Sequence, residues 1–238
     1  MLPGLVDTHV HLTPEISGRR GFRMLARAGV TSAQEMACPV DDVLAHAARF
    51  GSGIEVATLE ALRPGKNIGS EDPSRDELAR FVAAAKAKGY HGIKILGGHY
   101  PLTPEVTRAA IALAAGEGMR VAIHCGSTAA KSDLSRLVKA VELAKGNRLQ
   151  VCHVNSYCRG THHDPTLEAR KALDLLDGRD NILSESYLSL FNAARSDLDE
   201  AGGFARRRIG GRLGCFLRAC ACLRRHLPCR RGFAERAR

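Results

Sequence analysis

Short apolar runs rich in β-branched residues alternate with longer helix-like segments along most of the chain. The runs begin near Leu5, Val30, Ile54, His91, Val121, Gln150 and Asn181. Repeated strand–helix units of roughly 25–35 residues, with strands that are apolar on both faces, are typical of parallel α/β sheets. The pattern predicts an α/β fold of the TIM-like (β/α)8 barrel class, with about seven βα units recognisable and the eighth missing.

The helical segments carry start and stop signals at the expected places. Ser74, followed three residues later by Glu77, predicts a capping box. Thr103 and Asp164 each precede a proline at the first helical position. A glycine stands where each helix should end, as expected for a left-handed cap: Gly29, Gly51, Gly89, Gly118, Gly146 and Gly178. These signals support the alternation of strands and helices.

Side chains that bind metals lie at the ends of several predicted strands. His9 and His11 are two residues apart, and residues i and i+2 of a strand project from the same face, so the pair can bind one ion. His124 and His153 end two later strands, and Lys94 lies in a strand between the first pair and His124. Functional residues of barrels cluster at the carboxyl ends of the strands. The ordered set therefore predicts a metal-dependent hydrolase.

Each of these residues also has a purely structural interpretation. The histidines could be hydrogen-bonded members of the core, and the lysine, Lys94, could pair with Asp7 or Glu185 instead of serving a metal. His162 and His163 also resemble ligands, but they precede a helix cap and are expected to lie in a solvated loop.

Two segments carry a family resemblance. Residues Leu2 to His11, LPGLVDTHVH, resemble the opening barrel strand of the amidohydrolase superfamily, in its cyclic-amidase and D-aminoacylase-like branch. Residues His153 to Gly160, HVNSYCRG, resemble the stretch after strand six in N-acyl-D-amino-acid deacylases. The resemblance covers roughly residues 2–192.

The resemblance implies a ligand set. In two-metal members the HxH pair binds the buried ion, a strand-four lysine carboxylated by carbon dioxide bridges two ions, and histidines of strands five and six bind the second. This assigns His9 and His11 to the first ion, a carboxylated Lys94 to the bridge, and His124 and His153 to the second ion. One or two divalent cations are implied, with zinc favoured, to lower the pKa of a bound water and polarise an amide carbonyl.

The polar residues after the ligands are expected to face the substrate. They are His99, Tyr100, Asn155, Tyr157 and Arg159. Arg159 is the candidate for binding a carboxylate through paired hydrogen bonds, which would suit an N-acyl amino acid. The expected reaction is hydrolysis of a non-peptide carbon–nitrogen amide bond in a small molecule.

Two departures from the family pattern affect the expected activity. The small β-domain that usually precedes the HxH strand is not seen, and no eighth strand ending in aspartate is found, since Asp197 and Asp199 follow no apolar run. The catalytic residue that would take the proton is therefore unknown. We expect a chain that binds zinc but turns over poorly, because a general base typically contributes about 10²–10⁴-fold.

Two other functions stay open. One is a deaminase of the same superfamily, although one-metal deaminases generally lack the bridging lysine and place Glu and His beside strand five, where this chain has Cys125 and Gly126 after His124. The other is an inactive metal-binding homologue or fragment. Metal content, together with hydrolysis of a panel of acyl amino acids, would separate the amidohydrolase and the deaminase from the inactive homologue.

Composition changes abruptly near the carboxyl end. Residues 201–238 hold eleven of the 35 basic residues, all Arg, and one of the 25 acidic ones, which leaves 24 of each in residues 1–200. We predict an incomplete hydrolase barrel at 1–195 and an Arg/Cys-rich tail at 196–238 that resembles a shifted reading frame. Unpaired arginines are costly to bury, so we expect the tail to be disordered and cut readily by trypsin. A nucleic-acid arm is disfavoured, because only three Phe offer stacking.

The remaining features bound the class of protein. A chain of 238 residues with 45% hydrophobic content can bury one sizeable core. No apolar run reaches the ~20 residues needed to span a bilayer, and no secretory segment opens the chain. Cys125 and Cys152 adjoin predicted ligands as free thiols, which favours a cytoplasmic location. The exposed edge of a barrel one strand short makes a homo-oligomer possible.

Overall fold

The computed structural model describes residues 3–13, 17–126 and 133–186. Seven strands form one sheet: β1 (Leu5–Val10), β2 (Val30–Glu35), β3 (Glu55–Leu62), β4 (Gly92–Leu96), β5 (Arg120–His124), β6 (Leu149–Val151) and β7 (Ile182–Ser184). Six α-helices alternate with them: α1 (Gly21–Arg27), α2 (Val40–Phe50), α3 (Arg75–Ala87), α4 (Pro104–Gly116), α5 (Leu134–Ala144) and α6 (Pro165–Leu176). Two 3-10 helices, Gly18–Arg20 and Val154–Tyr157, complete these elements.

The strands pair in chain order and all pairs are parallel. The sheet runs β1-β2-β3-β4-β5-β6-β7, so each strand pairs with its neighbours in sequence. The β4–β5 ladder is regular, from Gly92 opposite Arg120 to Leu96 opposite His124, whereas the β1–β2 ladder shifts register between Asp7 and Val10. The result is a curled partial TIM barrel, as predicted, in which β1 and β7 are the outer strands of the described part.

Local signals placed the elements within about one residue of their predicted starts, but one cap differs in detail. Ser74 Oγ accepts a hydrogen bond from Glu77 N at 3.2 Å, as predicted. The Glu77 carboxylate accepts from Gly69 N at 2.6 Å, so this side chain caps the preceding loop where a reciprocal capping box was expected. Thr103 and Asp164 cap α4 and α6 through their side chains.

Strand alternation separates the two faces of the sheet. Ile93 and Ile95 of β4 pack with the buried faces of α3, α4 and α5 in the main hydrophobic cluster. Lys94, between them, is fully buried on the opposite face. That inner face also holds a small apolar cluster formed by Met36, Leu59, Ala122 and Cys152. The two-residue period of a strand therefore directs Lys94 into the barrel interior.

Two glutamines connect distant strands across the interior. Gln34 of β2 donates from Nε2 to Gln150 Oε1 of β6 at 2.8 Å, and accepts from the Arg120 guanidinium at 3.0 Å. Gln150 in turn donates to the carbonyl oxygen of Thr8 in β1 at 3.2 Å. Since these side chains join β1, β2, β5 and β6 directly, the sheet is curled enough to bring its early and late strands together.

Several predictions concern residues outside the described ranges. The proposed boundary between residues 195 and 196, the basic tail, Asp197 and Asp199 all fall there. In residues 3–13, 17–126 and 133–186, no helix is both long enough and apolar enough to cross a bilayer.

Candidate metal centre

Four histidines meet at the carboxyl ends of β1, β5 and β6. The His9 ring centroid lies 5.5 Å from His11, 5.8 Å from His124 and 4.3 Å from His153. His124 and His153 are 5.0 Å apart. One ligand nitrogen from each of His9, His124 and His153 lies within 4.8 Å of the others, which is close enough for three imidazoles to share one cation.

A break in strand alternation brings His153 into this group. Gln150 and Cys152 face the barrel interior, so a continued strand would point the next residue outward. His153 instead has φ +54°, in the left-handed region that residues with a side chain seldom adopt. The turn places its imidazole beside His9, and a strained conformation at such a position is often part of a functional site.

His124 has the environment of a neutral ligand. Burial, followed by the charges of Lys94 and the neighbouring histidines, lowers the pKa of His124 to about 2. Its Nε2 is buried and has no hydrogen-bond partner in the described part of the chain. An imidazole must be neutral to bind a metal, and a buried polar atom is costly to leave without a partner. A cation would satisfy this atom.

Lys94 lies in the barrel interior near the histidines, and its ammonium group forms no ion pair with Asp7 or Glu185. Its Nζ is 2.6 Å from Cys152 Sγ and 3.8 Å from Met36 Sδ. The pairings with Asp7 and Glu185 that a purely structural role would use are not formed. Its charge lowers the pKa of His9 and His124, although burial contributes more in each case. The predicted carboxylation of Lys94 stays a prediction.

Glu35, at the end of β2, holds His11. The His11 Nδ1 atom is 3.1 Å from Glu35 Oε1, and the glutamate also accepts hydrogen bonds from the backbone N–H groups of Leu12, Ala37 and Cys38. Burial raises the pKa of Glu35, but the bond from His11 and the backbone donors outweigh it and lower the pKa. Glu35 therefore stays a carboxylate and can orient His11.

Glu185 is the first residue after β7 and the second carboxylate of the centre. Its Oε1 is 2.6 Å from His9 Nδ1 and 3.1 Å from the backbone nitrogen of His153. Burial raises its pKa, yet the hydrogen bonds from His153 and His9 hold the pKa well below the usual value of a glutamate. Sequence reasoning missed both carboxylates as site residues. Their position directly at strand ends was the available signal.

The predicted substrate residues are spread over different environments. His99 and Arg159 are exposed, and Tyr100 is half-buried with the Lys66 ammonium 5.4 Å from its ring. Asn155 and Tyr157 are buried. The Tyr157 hydroxyl accepts from Cys125 N at 2.8 Å and donates to Cys152 O at 2.7 Å. It therefore connects two loops of the fold, and this position favours a structural role over contact with substrate.

The residues that converge here fit a divalent cation. The donor set is three imidazoles with neighbouring carboxylates, and the buried Nε2 of His124 has no other partner in the described residues. Nitrogen and carboxylate ligands of this kind suit zinc.

The chain is similar to known proteins in sequence family and in fold. The amidohydrolase family model matches residues 1–181. A candidate prolidase from Bifidobacterium longum is 16% identical, with a TM-score of 0.52 and coverage of 92% of this chain and 54% of that one. An amidohydrolase from Burkhoderia ambifaria, solved with bound Zn, is 19% identical, with a TM-score of 0.42 and coverage of 71% and 56%. No curated protein matches.

At 16% identity the Bifidobacterium structure supports the partial barrel fold alone. The chain spans about half the length of both solved structures. The family model matches about three quarters of the sequence, through the strands that carry all four histidines. The chain belongs to the amidohydrolase family.

Proposed function

We propose that this chain carries the metal site of a hydrolase that cleaves a non-peptide carbon–nitrogen amide bond, with N-acyl amino acids as the favoured substrates. The observation that supports it most is the meeting of three imidazoles whose ligand atoms lie within 4.8 Å, at the carboxyl end of a parallel barrel. The family membership agrees with this reaction class.

The residues that would hold the cation are His9, His124 and His153. The sequence assigns His11 and Lys94 to the metal as well, and both lie next to this group. A divalent ion held there would lower the pKa of a bound water and polarise the amide carbonyl. Zinc is the favoured metal, one or two ions are expected, and a carboxylated Lys94 would supply the bridge for a second.

The side chains of the chain prepare the site before any substrate arrives. His124 and His9 have lowered pKa values, chiefly through burial, and so present neutral nitrogens at neutral pH. Glu35 and Glu185 are carboxylates that orient the HxH pair. The exposed Arg159 is our candidate for the substrate carboxylate, because its fork of donors matches that group.

We expect removal of the proton from the attacking water to limit the rate. Glu185 lies at the site, but its strongly lowered pKa makes it a poor proton acceptor near neutral pH. Among the possible ligand clusters of the described residues, Glu185 is the carboxylate grouped with His9. We therefore expect turnover of the 238-residue chain to be about 10²–10⁴-fold below that of an enzyme with a positioned base.

The test combines metal content with hydrolysis. Purified full-length chain, stripped with chelator and reloaded with zinc, should bind at least one equivalent, and His124→Ala should lose it. His91→Ala is the matched control, because His91 is exposed and precedes β4, at the end of that strand opposite to the one where the histidines meet. Slow release of the amino acid from a panel of D- and L-N-acyl amino acids should require zinc and fail in His124→Ala.

Other outcomes would overturn the proposal. Absence of zinc binding would remove the metal site altogether. Binding of zinc with no hydrolysis of any acylated amino acid over days would leave a metal-binding homologue. Release of ammonia from an amino-substituted heterocycle would favour the deaminase function.

A further inference from the structure

Glu185, the residue that follows strand β7, contacts two histidines of the metal centre. Its side chain is 17% exposed, and one oxygen, Oε1, lies 2.6 Å from His9 Nδ1 and 3.4 Å from His153 Nδ1. The same oxygen accepts the backbone N–H of His153 at 3.1 Å. A single carboxylate thus contacts ligands from both the first and the sixth strand.

The contact with His9 fixes which nitrogen of that ring is available. A carboxylate accepts, so His9 must donate from Nδ1, and its proton cannot then sit on Nε2 in the neutral ring. The lone pair of Nε2 remains for a metal. Carboxylate partners commonly orient metal-binding histidines in this way.

The contacts with His153 support its unusual backbone. Glu185 N donates to the carbonyl oxygen of Val151 at 3.3 Å, and Val154 N donates to Glu185 O at 2.9 Å. Together with the bond from His153 N to the carboxylate, Glu185 binds the chain before, at and after the left-handed residue. Such a conformation costs of order 1–3 kcal/mol and persists only where its surroundings hold it.

We infer that Glu185 is the positioning residue of the centre, which fixes the His9 imidazole with Nε2 free and holds His153 in the turn that brings it to the site. The inference deepens the proposed function and rests on it only for the identity of the metal site. Glu35 makes a similar contact with His11, but it also accepts three backbone N–H groups, so its loss would disturb the loop itself.

The experiment uses full-length protein with Glu185 replaced by Ala, Gln or Asp. Glu117→Gln is the control, because it removes one carboxylate from an exposed ion pair with Lys86. Two properties are measured: the tautomer of His9 in metal-free protein, by nitrogen-15 NMR with His9→Gln for assignment, and the zinc dissociation constant by competition with a chelator.

The expected pattern is specific. Wild-type His9 should show a single tautomer protonated at Nδ1, which Glu185→Ala should lose. Zinc should bind about 10- to 100-fold more weakly to Glu185→Ala, since removal of an orienting partner typically costs this much. Glu185→Gln, which keeps an acceptor oxygen of the same shape, should retain part of both properties, and Glu117→Gln should match wild type.

Three results would overturn the inference. His9 protonated at Nε2 in wild type would do so, as would unchanged zinc affinity in Glu185→Ala. X-ray absorption that shows a carboxylate oxygen on zinc, lost in Glu185→Gln, would make Glu185 a ligand. The tautomer is read without metal or substrate, so failure of hydrolysis would count against the proposed function alone.

Discussion

Glu168 shows how one buried carboxylate organises a whole loop. It is fully buried on α6, and its two oxygens accept the backbone N–H groups of Gly160, His162 and His163 at 2.7, 2.8 and 3.1 Å. These residues follow the segment that carries His153 and Arg159. The loop thus owes its shape to a side chain that follows it in sequence.

We expect Glu168→Ala to lower the free energy of unfolding by about 3 kcal/mol, because hydrogen bonds to charged groups contribute about 1.5–3 kcal/mol each and the freed N–H groups can partly bind water. Glu168→Gln should lose less, since it keeps one acceptor oxygen. Urea denaturation at pH 7 measures both. A change below about 0.5 kcal/mol in Glu168→Ala, the range of an ordinary surface position, would contradict the account.

The same residue gives a pH dependence of stability. Burial raises the pKa of Glu168, but the three backbone donors outweigh it and lower the pKa below its usual value. Its stabilisation is therefore complete above the unfolded pKa of about 4.3 and is lost as the pH falls through the folded pKa. Between about pH 5 and pH 3 the stability of wild type should fall more steeply than that of Glu168→Gln. Equal slopes would show that Glu168 ionises alike in both states.

For single residues, the sequence predicts which side chains can bind a metal better than it predicts the residues that those side chains contact. The pair His9 and His11 is visible from spacing alone, because a strand has a two-residue period. The partners of Lys94 and His9 are Cys152 and Glu185, 58 and 176 residues away in sequence. Contacts at such separations depend on how the sheet curls, which no local pattern encodes.

The side chain of Tyr157 joins the segments that follow strands β5 and β6. Tyr157, in the 3-10 helix Val154–Tyr157, bridges the backbone of Cys125 and Cys152, each adjacent to a histidine of the centre. Burial raises the pKa of Tyr157 well above its usual value, so the hydroxyl keeps its proton and can donate and accept at once.

Tyr157→Phe should destabilise the protein by about 2 kcal/mol, because two buried backbone groups lose their partner. Zinc affinity should fall as well, since His124 and His153 are attached to those groups. Tyr100→Phe makes the same chemical change at a half-buried ring and should alter neither property. Denaturant titration and chelator competition measure the two effects, and unchanged zinc affinity in Tyr157→Phe would show that the loops hold the histidines without the bridge.

The strands and helices themselves were predictable, with two exceptions that matter for the site. Apolar runs, caps and terminal glycines are local signals, and they located all seven strands. The register shift in β1 between Asp7 and Val10 and the left-handed turn at His153 interrupt the strand period. The turn at His153 brings that histidine to the centre. Pure alternation would have directed His153 away from it, and the long-range bonds to Glu185 help to hold it there.

For the whole molecule, the outer strands of the described sheet expose apolar side chains. Leu5 and Val6 of β1 are 59% and 65% exposed, and Leu183 of β7 is 58% exposed. An open strand edge with apolar residues favours pairing with another chain. We predict that the protein self-associates through β1 at high concentration, and that Val6→Lys, which places a charge on this strand, shifts it towards the monomer.

Sedimentation velocity across a concentration series tests this prediction, with Met24→Lys as the control. Met24 is 64% exposed on α1, so the control makes a comparable apolar-to-charged change away from the sheet edge and should leave association unchanged. Stability should change by no more than about 0.5 kcal/mol in either variant, as for exposed positions generally. A loss above about 2 kcal/mol in Val6→Lys alone would mean instead that Val6 is covered in the intact chain, because only buried positions respond so strongly. The barrel would then be closed at β1, and the exposed edge could not be the surface through which copies associate.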